Sequence, residues 1–185
     1  MTPAAARALL AEAELIHSAA TVEAAVADVA ARIRARLADE NPVMLCVMSG
    51  AVPFAGRLLT QLDFPLDFDY LHVSRYGEKL HGQEKLTWRI GPWISLADRV
   101  VLVVDDILDE GITLKTICER IRQMGARSVL SAVFVEKETG RPKPVAADFV
   151  GLRVPDRFVF GFGMDIGGAW RNLPAIYAEK PGERP

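Results

Sequence analysis

The feature that most constrains this chain is a rhythm. Short, continuous apolar runs alternate with stretches whose apolar residues recur every three or four positions. Residues 43–48 (VMLCVM), 100–104 (VVLVV) and 129–135 are apolar at almost every position, the pattern of strands buried on both faces. Residues 66–73 read as a further strand. Between them, Phe54, Leu58, Leu59 and Leu62, and later Leu114, Ile117, Ile121 and Met124, form stripes of helical spacing. Strand–helix–strand order with buried strands predicts an α/β fold: a mainly parallel, twisted sheet flanked by helices. The 185 residues suffice for one domain. Its expected parts are N-terminal helices over 1–40, a core over 41–140 and a small C-terminal hood over 141–185.

The flanking segments are read by the same logic. Val22, Val26, Val29, Ile33 and Leu37 make one helical stripe, with Thr21 as the expected N-cap and Asn41-Pro42 as the stop. Packing on one edge of the sheet is the expected fate of these helices. Gly50 is expected to turn the chain after the first strand, and Gly125 to close the last helix. Residues 74–99 are too long and polar for a tight connection, and a segment of that kind predicts a mobile lid over a site. The tail carries two short strand-like pieces, 148–150 and 158–160, between glycine and proline turns.

Composition removes several classes. Half of the chain is apolar, which supports a core and excludes disorder as the main state. The apolar runs are far short of the roughly 18 residues of a membrane span. Lys and Arg number 22 against 24 Asp and Glu, so the net charge of −2 offers no pull toward nucleic acid. Cys46 and Cys118 form no CxxC or disulfide-dense pattern, and no basic, apolar leader opens the sequence. A cytoplasmic protein is expected. His17, His72 and His81 lack metal-ligand spacing.

The chemistry is concentrated in residues 100–116, VVLVVDDILDEGITLKT. A buried strand is expected to end in Asp105 and Asp106. Asp109, Glu110, Gly111 and Thr113 then lead into a helix. Ligands of open parallel sheets bind outside the carboxyl ends of the strands. Backbone N–H groups and a hydroxyl at a helix N-terminus suit a phosphate. Four acids within six residues would repel a bare phosphate. The conflict resolves for a ligand that also offers sugar hydroxyls, a divalent cation, or both.

The stretch VVDDILDEGITL resembles the phosphoribosyl-pyrophosphate loop of the type I phosphoribosyltransferases, in particular those acting on hypoxanthine and guanine. The likeness continues through VMSGAVPFAGRLL, SRYG, VEK, ADFVGL, DRFVFGFGMD and WRNLP, in that order. The resemblance implies that fold and purine salvage: Mg²⁺-dependent transfer of a phosphoribosyl group from phosphoribosyl pyrophosphate to a purine base, releasing a purine nucleotide, IMP or GMP. It implies ribose and metal contacts at Asp105 and Asp106, and a general acid/base at Asp109. Glu110, Gly111, Ile112 and Thr113 match the 5′-phosphate loop. Ser49 and Gly50 match the pyrophosphate loop, where the family often has a non-proline cis peptide. Arg171 matches a second pyrophosphate contact. Ser74, Arg75 and Tyr76 match the start of the lid. Lys137, Phe158 and Val159 match the purine site, and Asp165 a further acid linked to purine and metal. A homodimer or homotetramer is implied as well. Ser49 stands where many relatives carry Lys or Arg, and Glu110 where Thr or Ser is common.

Two other readings compete. A non-catalytic nucleotide sensor can share the fold, but the candidate site residues Asp109, Lys137 and Asp165 are in place. A phosphoacceptor receiver domain also shows VLVVDD, but after its first strand, and it leaves the Gly-Thr loop unexplained.

Overall fold

The computed structural model describes residues 1–74 and 86–180. The chain runs through α1 (Pro3–Glu12), β1 (Glu14–His17), α2 (Ala19–Leu37), β2 (Val43–Met48), α3 (Val52–Leu59), β3 (Asp67–Ser74) and β4 (Thr87–Ile90). It continues through β5 (Val100–Leu108), α4 (Ile112–Gln123), β6 (Ser128–Glu138), β7 (Phe149–Pro155), β8 (Val159–Phe160) and β9 (Ile176–Ala178). Among the described residues the main sheet has the order β4-β3-β2-β5-β6-β7. It is parallel from β3 to β7, and β4 pairs antiparallel with β3 at the edge. The expected mainly parallel sheet flanked by helices is therefore what the chain forms.

The strand order places the site. From β2 the chain steps outward to β3, then returns to lay β5 on the other side of β2, in register from Val43 opposite Val101 to Cys46 opposite Val104. The order reverses between β2 and β5, so a crevice opens at their carboxyl ends. Met44, Leu45, Leu102 and Val103 are fully buried, as continuous apolar strands covered on both faces should be. Cys46 and Cys118 are free and buried, and burial pushes their thiols up to about 12 and about 11. The Asp105 and Asp106 carboxylates add to the rise at Cys46. Neither thiol is poised as a nucleophile.

Several local expectations differ from the structure. The α2 stripe is buried from Val22 to Leu37, and the helix packs on β7 and α3. Its cap is Ser18, however, not Thr21. Ser18 has an extended backbone, and its Oγ accepts from the Thr21 N–H at 3.2 Å. Thr21 is already inside the first turn. The expected purely helical N-terminus also contains β1, which pairs antiparallel with β9. β5 does not end at the acids. It runs on to Leu108, because β6 keeps pairing alongside, Asp105 opposite Val133 and Leu108 opposite Glu136. Met124 follows α4 as its C-cap and is 38 % exposed, outside the buried stripe. The tail strand at 148–150 extends to Pro155 and joins the main sheet beside β6. The hood is a separate sheet, β1-β9-β8, built from both ends of the chain.

Asp69 fastens the connection after β4. It is 6 % exposed, and its carboxylate accepts from the backbone N–H groups of Tyr70 (2.7 Å), Trp93 (2.6 Å) and Ile94 (2.9 Å). Asp69→Ala leaves those donors without this acceptor, and the expected loss of stability is about 2–3 kcal/mol. Urea unfolding checks it; a midpoint equal to wild type would remove the fastening role.

Candidate active site

β2 ends at a cis Met48–Ser49 peptide followed by Gly50, and β5 presents Asp105 and Asp106 beside it. Gly50 is required by close approach. A methyl group on its Cα would overlap the Asp106 carboxylate. From the hood, Gly163 (φ +105°) leaves no room for a methyl either, because that methyl would overlap the Gly50 carbonyl oxygen. The Asp106 side chain, the Gly50 backbone and the Gly163 backbone are thus packed in series. This contact joins the hood to the main sheet.

Arg171 extends the series. Its guanidinium donates to the Gly163 carbonyl at 2.6 Å and pairs with the Asp165 carboxylate at 2.5 Å. The Gly163 N–H donates back to the Arg171 carbonyl at 2.9 Å. Asp165 also accepts from the Gly168 N–H at 2.7 Å, so it serves its turn and its arginine together. Asp105 is 7 % exposed and accepts from the Asp106 N–H at 3.0 Å. Burial pushes the Asp106 carboxyl above the usual carboxylate range; a hydrogen bond with Asp105 and the Arg171 charge act against the rise.

Lys137, near the end of β6, is not part of the cleft wall itself and reaches the cleft through Asp109, donating to its Oδ2 at 2.7 Å. The two candidate groups for purine contact and proton transfer therefore meet as an ion pair. Gly111 caps α4, and Thr113 lies in its first turn with the helix N-terminus facing the cleft. The cleft has a volume of about 590 Å³. Its wall brings together Ser49, Gly50, Asp105, Asp106, Asp109, Gly111, Thr113, Phe158, Asp165 and Arg171.

The remaining sequence candidates are placed otherwise. Glu110 is exposed, and with Ile112 it borders a separate groove shared with Arg141 and Lys143. Their side chains are not part of the cleft wall. Val159 is buried in β8 opposite Ala178. The Ser74 hydroxyl accepts from Arg89 Nε at 3.0 Å, at the base of the β3–β4 arm. Arg75 and Tyr76 lie outside the described residues. The sequence reading passed over Val73 and Leu86, which wall the cleft at that base. It also passed over Gly163, whose only signal was its place in the GFGMD motif, and Lys143, which carries no periodic signal at all.

The donor set can be weighed against a metal. Among the described residues, no three His, Cys, Asp or Glu side chains form a cluster able to hold an ion by themselves. Asp105, Asp106 and Asp165 nonetheless offer hard oxygen donors around one cleft. That set fits Mg²⁺, which takes one or two carboxylates and completes its shell with substrate phosphates and water.

Known proteins resemble this chain in sequence and in fold. A family model described as a phosphoribosyl transferase domain matches residues 12–166. The chain is 33 % identical over 170 residues to the hypoxanthine-guanine phosphoribosyltransferase of Bacillus subtilis (strain 168), covering 91 % of this chain and 93 % of that protein. It is 35 % identical over 144 residues to the enzyme of the same name from Lactococcus lactis subsp. lactis, covering 77 % of each. A crystal structure of a hypoxanthine phosphoribosyltransferase from Staphylococcus aureus superposes with a TM-score of 0.86 at 25 % identity, covering 94 % of this chain and 95 % of that one.

Proposed function

Because the chain belongs to the phosphoribosyl transferase family, alongside its hypoxanthine-guanine enzymes, we propose that it salvages purines. It transfers the phosphoribosyl group of phosphoribosyl pyrophosphate to hypoxanthine or guanine, giving IMP or GMP and pyrophosphate. The observation that carries this reading is one cleft bordered by three features: the Asp105–Asp106 pair, the N-terminus of α4, and Asp109 joined to Lys137.

The roles are those the resemblance implies, and residue chemistry is consistent with them. Asp105 and Asp106 accept hydrogen bonds from the ribose diol. The backbone amides of residues 110–113 and the Thr113 hydroxyl hold the 5′-phosphate. Ser49, Gly50 and Arg171 receive the pyrophosphate, on which negative charge grows as its bond to C1′ breaks. One or two of the carboxylates of Asp105, Asp106 and Asp165, together with substrate oxygens, would hold Mg²⁺, whose positive charge would stabilise that leaving group. Phe158, 40 % exposed at the cleft, offers its ring to the purine, and Val159 its backbone. Lys137 donates to the 6-oxo oxygen. As the purine nitrogen bonds to C1′, Asp109 takes the proton that the imidazole ring must lose. The lid expected over 74–99 would keep water from the donor; it begins at Ser74, and its residues 75–85 lie outside the described residues. A cytoplasmic setting is consistent with two buried free thiols, and a homodimer or homotetramer belongs to the same proposal.

The test is an ultraviolet assay with phosphoribosyl pyrophosphate, Mg²⁺ and each of hypoxanthine, guanine, xanthine and adenine. Hypoxanthine and guanine should exceed adenine by about 100-fold or more in kcat/KM, because a 6-amino group cannot accept from Lys137. No turnover with any base would exclude the enzyme and leave the nucleotide sensor.

A further inference from the structure

We infer that Lys143 is a positioning residue for purine recognition: its ammonium ties the end of β5 to the end of β6 and thereby sets the Asp109–Lys137 pair. The inference rests on the proposed function and deepens it.

The Lys143 ammonium sits on two backbone carbonyls and one carboxylate. It donates to the Lys137 carbonyl at 2.6 Å, the Leu108 carbonyl at 3.3 Å and Glu136 Oε1 at 3.2 Å. An ammonium has three N–H groups, so these acceptors saturate it. Its side chain is only 12 % exposed, and Glu136 supplies the counter-charge while also meeting Arg153 at 3.7 Å. The two carbonyls belong to the residue before Asp109 and to Lys137 itself. They lie where the β5–β6 ladder finishes, its final register pair being Leu108 opposite Glu136. Past that pair no strand hydrogen bonds set the distance between the two backbones, and Lys143 takes over.

The loop is built to deliver it. Lys143 lies between Pro142 and Pro144, whose rings restrict the backbone on both sides and lower the entropic cost of holding the side chain. Pro144 and Val145 pack 3.3 Å from where a methyl on Gly111 would stand, so the same loop braces the turn that opens α4. Lys143 is not part of the cleft wall. It acts through Asp109 and Lys137 and does not touch the base.

Lys143→Met keeps the stem and removes the ammonium. Steady-state KM values for hypoxanthine and for phosphoribosyl pyrophosphate separate positioning from bulk stability. The expected result is a hypoxanthine KM raised about tenfold, with the donor KM within about twofold of wild type. The hypoxanthine-over-adenine preference should fall with it. Glu136→Gln, which loosens the ammonium without removing it, should move the same KM in the same direction by a smaller factor, and it decides the matter if Lys143→Met does not fold. Both KM values rising together, or neither moving, overturns the role of Lys143. Wild-type turnover of hypoxanthine distinguishes the two failures. With turnover present, a missing split removes only this role; with turnover absent, the proposed function falls and this inference with it.

Discussion

Asp109→Asn is expected to lower kcat by about 10²–10³-fold while the KM for phosphoribosyl pyrophosphate moves by less than about threefold. The substitution is nearly isosteric. An amide oxygen can still accept from Lys137, which holds Asp109 at 2.7 Å, so the local geometry should survive. The amide cannot take the proton that the purine ring must lose. The purine KM should also rise, because Lys137 is largely buried and would face a neutral partner in place of a charged one. In the proposed function the donor is held elsewhere, by Asp105, Asp106 and the start of α4, which is why its KM should stay. Steady-state kinetics in both substrates, with a single-turnover measurement of the chemical step, provide the check. If kcat and donor affinity fall together, Asp109 is a binding group and not the proton acceptor.

Gly50→Ala should be damaging for a different reason. The added methyl overlaps the Asp106 carboxylate, and the backbone cannot retreat because Gly163 packs against the Gly50 carbonyl from the other side. Asp106 must therefore rotate out of its hydrogen bond with Asp105 and away from Arg171. The expected outcome is a loss of about 2–3 kcal/mol of stability and about a 10²-fold weaker binding of the donor. Gly56→Ala is the internal control. Gly56 lies on the exposed face of α3 with nothing within 4 Å of the added methyl, so it should gain up to about 1 kcal/mol. Calorimetry and donor titration of the two variants should separate clearly. Similar behaviour would mean that the close approach at Gly50 does not govern the site.

The strands that carry the site were legible because their signals are local. VMLCVM and VVLVV are apolar without interruption, and burial on both faces is the one environment that rewards such runs. The α4 stripe and the acids after Val104 were readable from a few neighbouring residues. The resemblance added roles to residues such as Lys137 and Phe158, whose types alone do not distinguish a solvated lysine or a core aromatic. Where a boundary depended on a distant partner, local reading stopped short. β5 was expected to end at Asp105 and Asp106, but β6 pairs with it through Leu108. Thr21 looked like a cap because it precedes the Val22 stripe, whereas Ser18 caps because β1 delivers an extended backbone there.

By itself the amino-acid sequence determined the buried strands, the helix that follows the acids, and the order in which acid, glycine and threonine lead into that helix. Those are properties of short windows, set by backbone preference and by which faces must leave water. Only the tertiary structure decided that both chain ends build the hood, that Gly163 closes on Gly50, that Arg171 pairs with Asp165, and that Lys143 joins β5 to β6. Such contacts join residues far apart along the chain or turn on which way a loop aims its side chain. They leave no period or local preference behind, and they form once the packed core has fixed the separation of the elements that carry them.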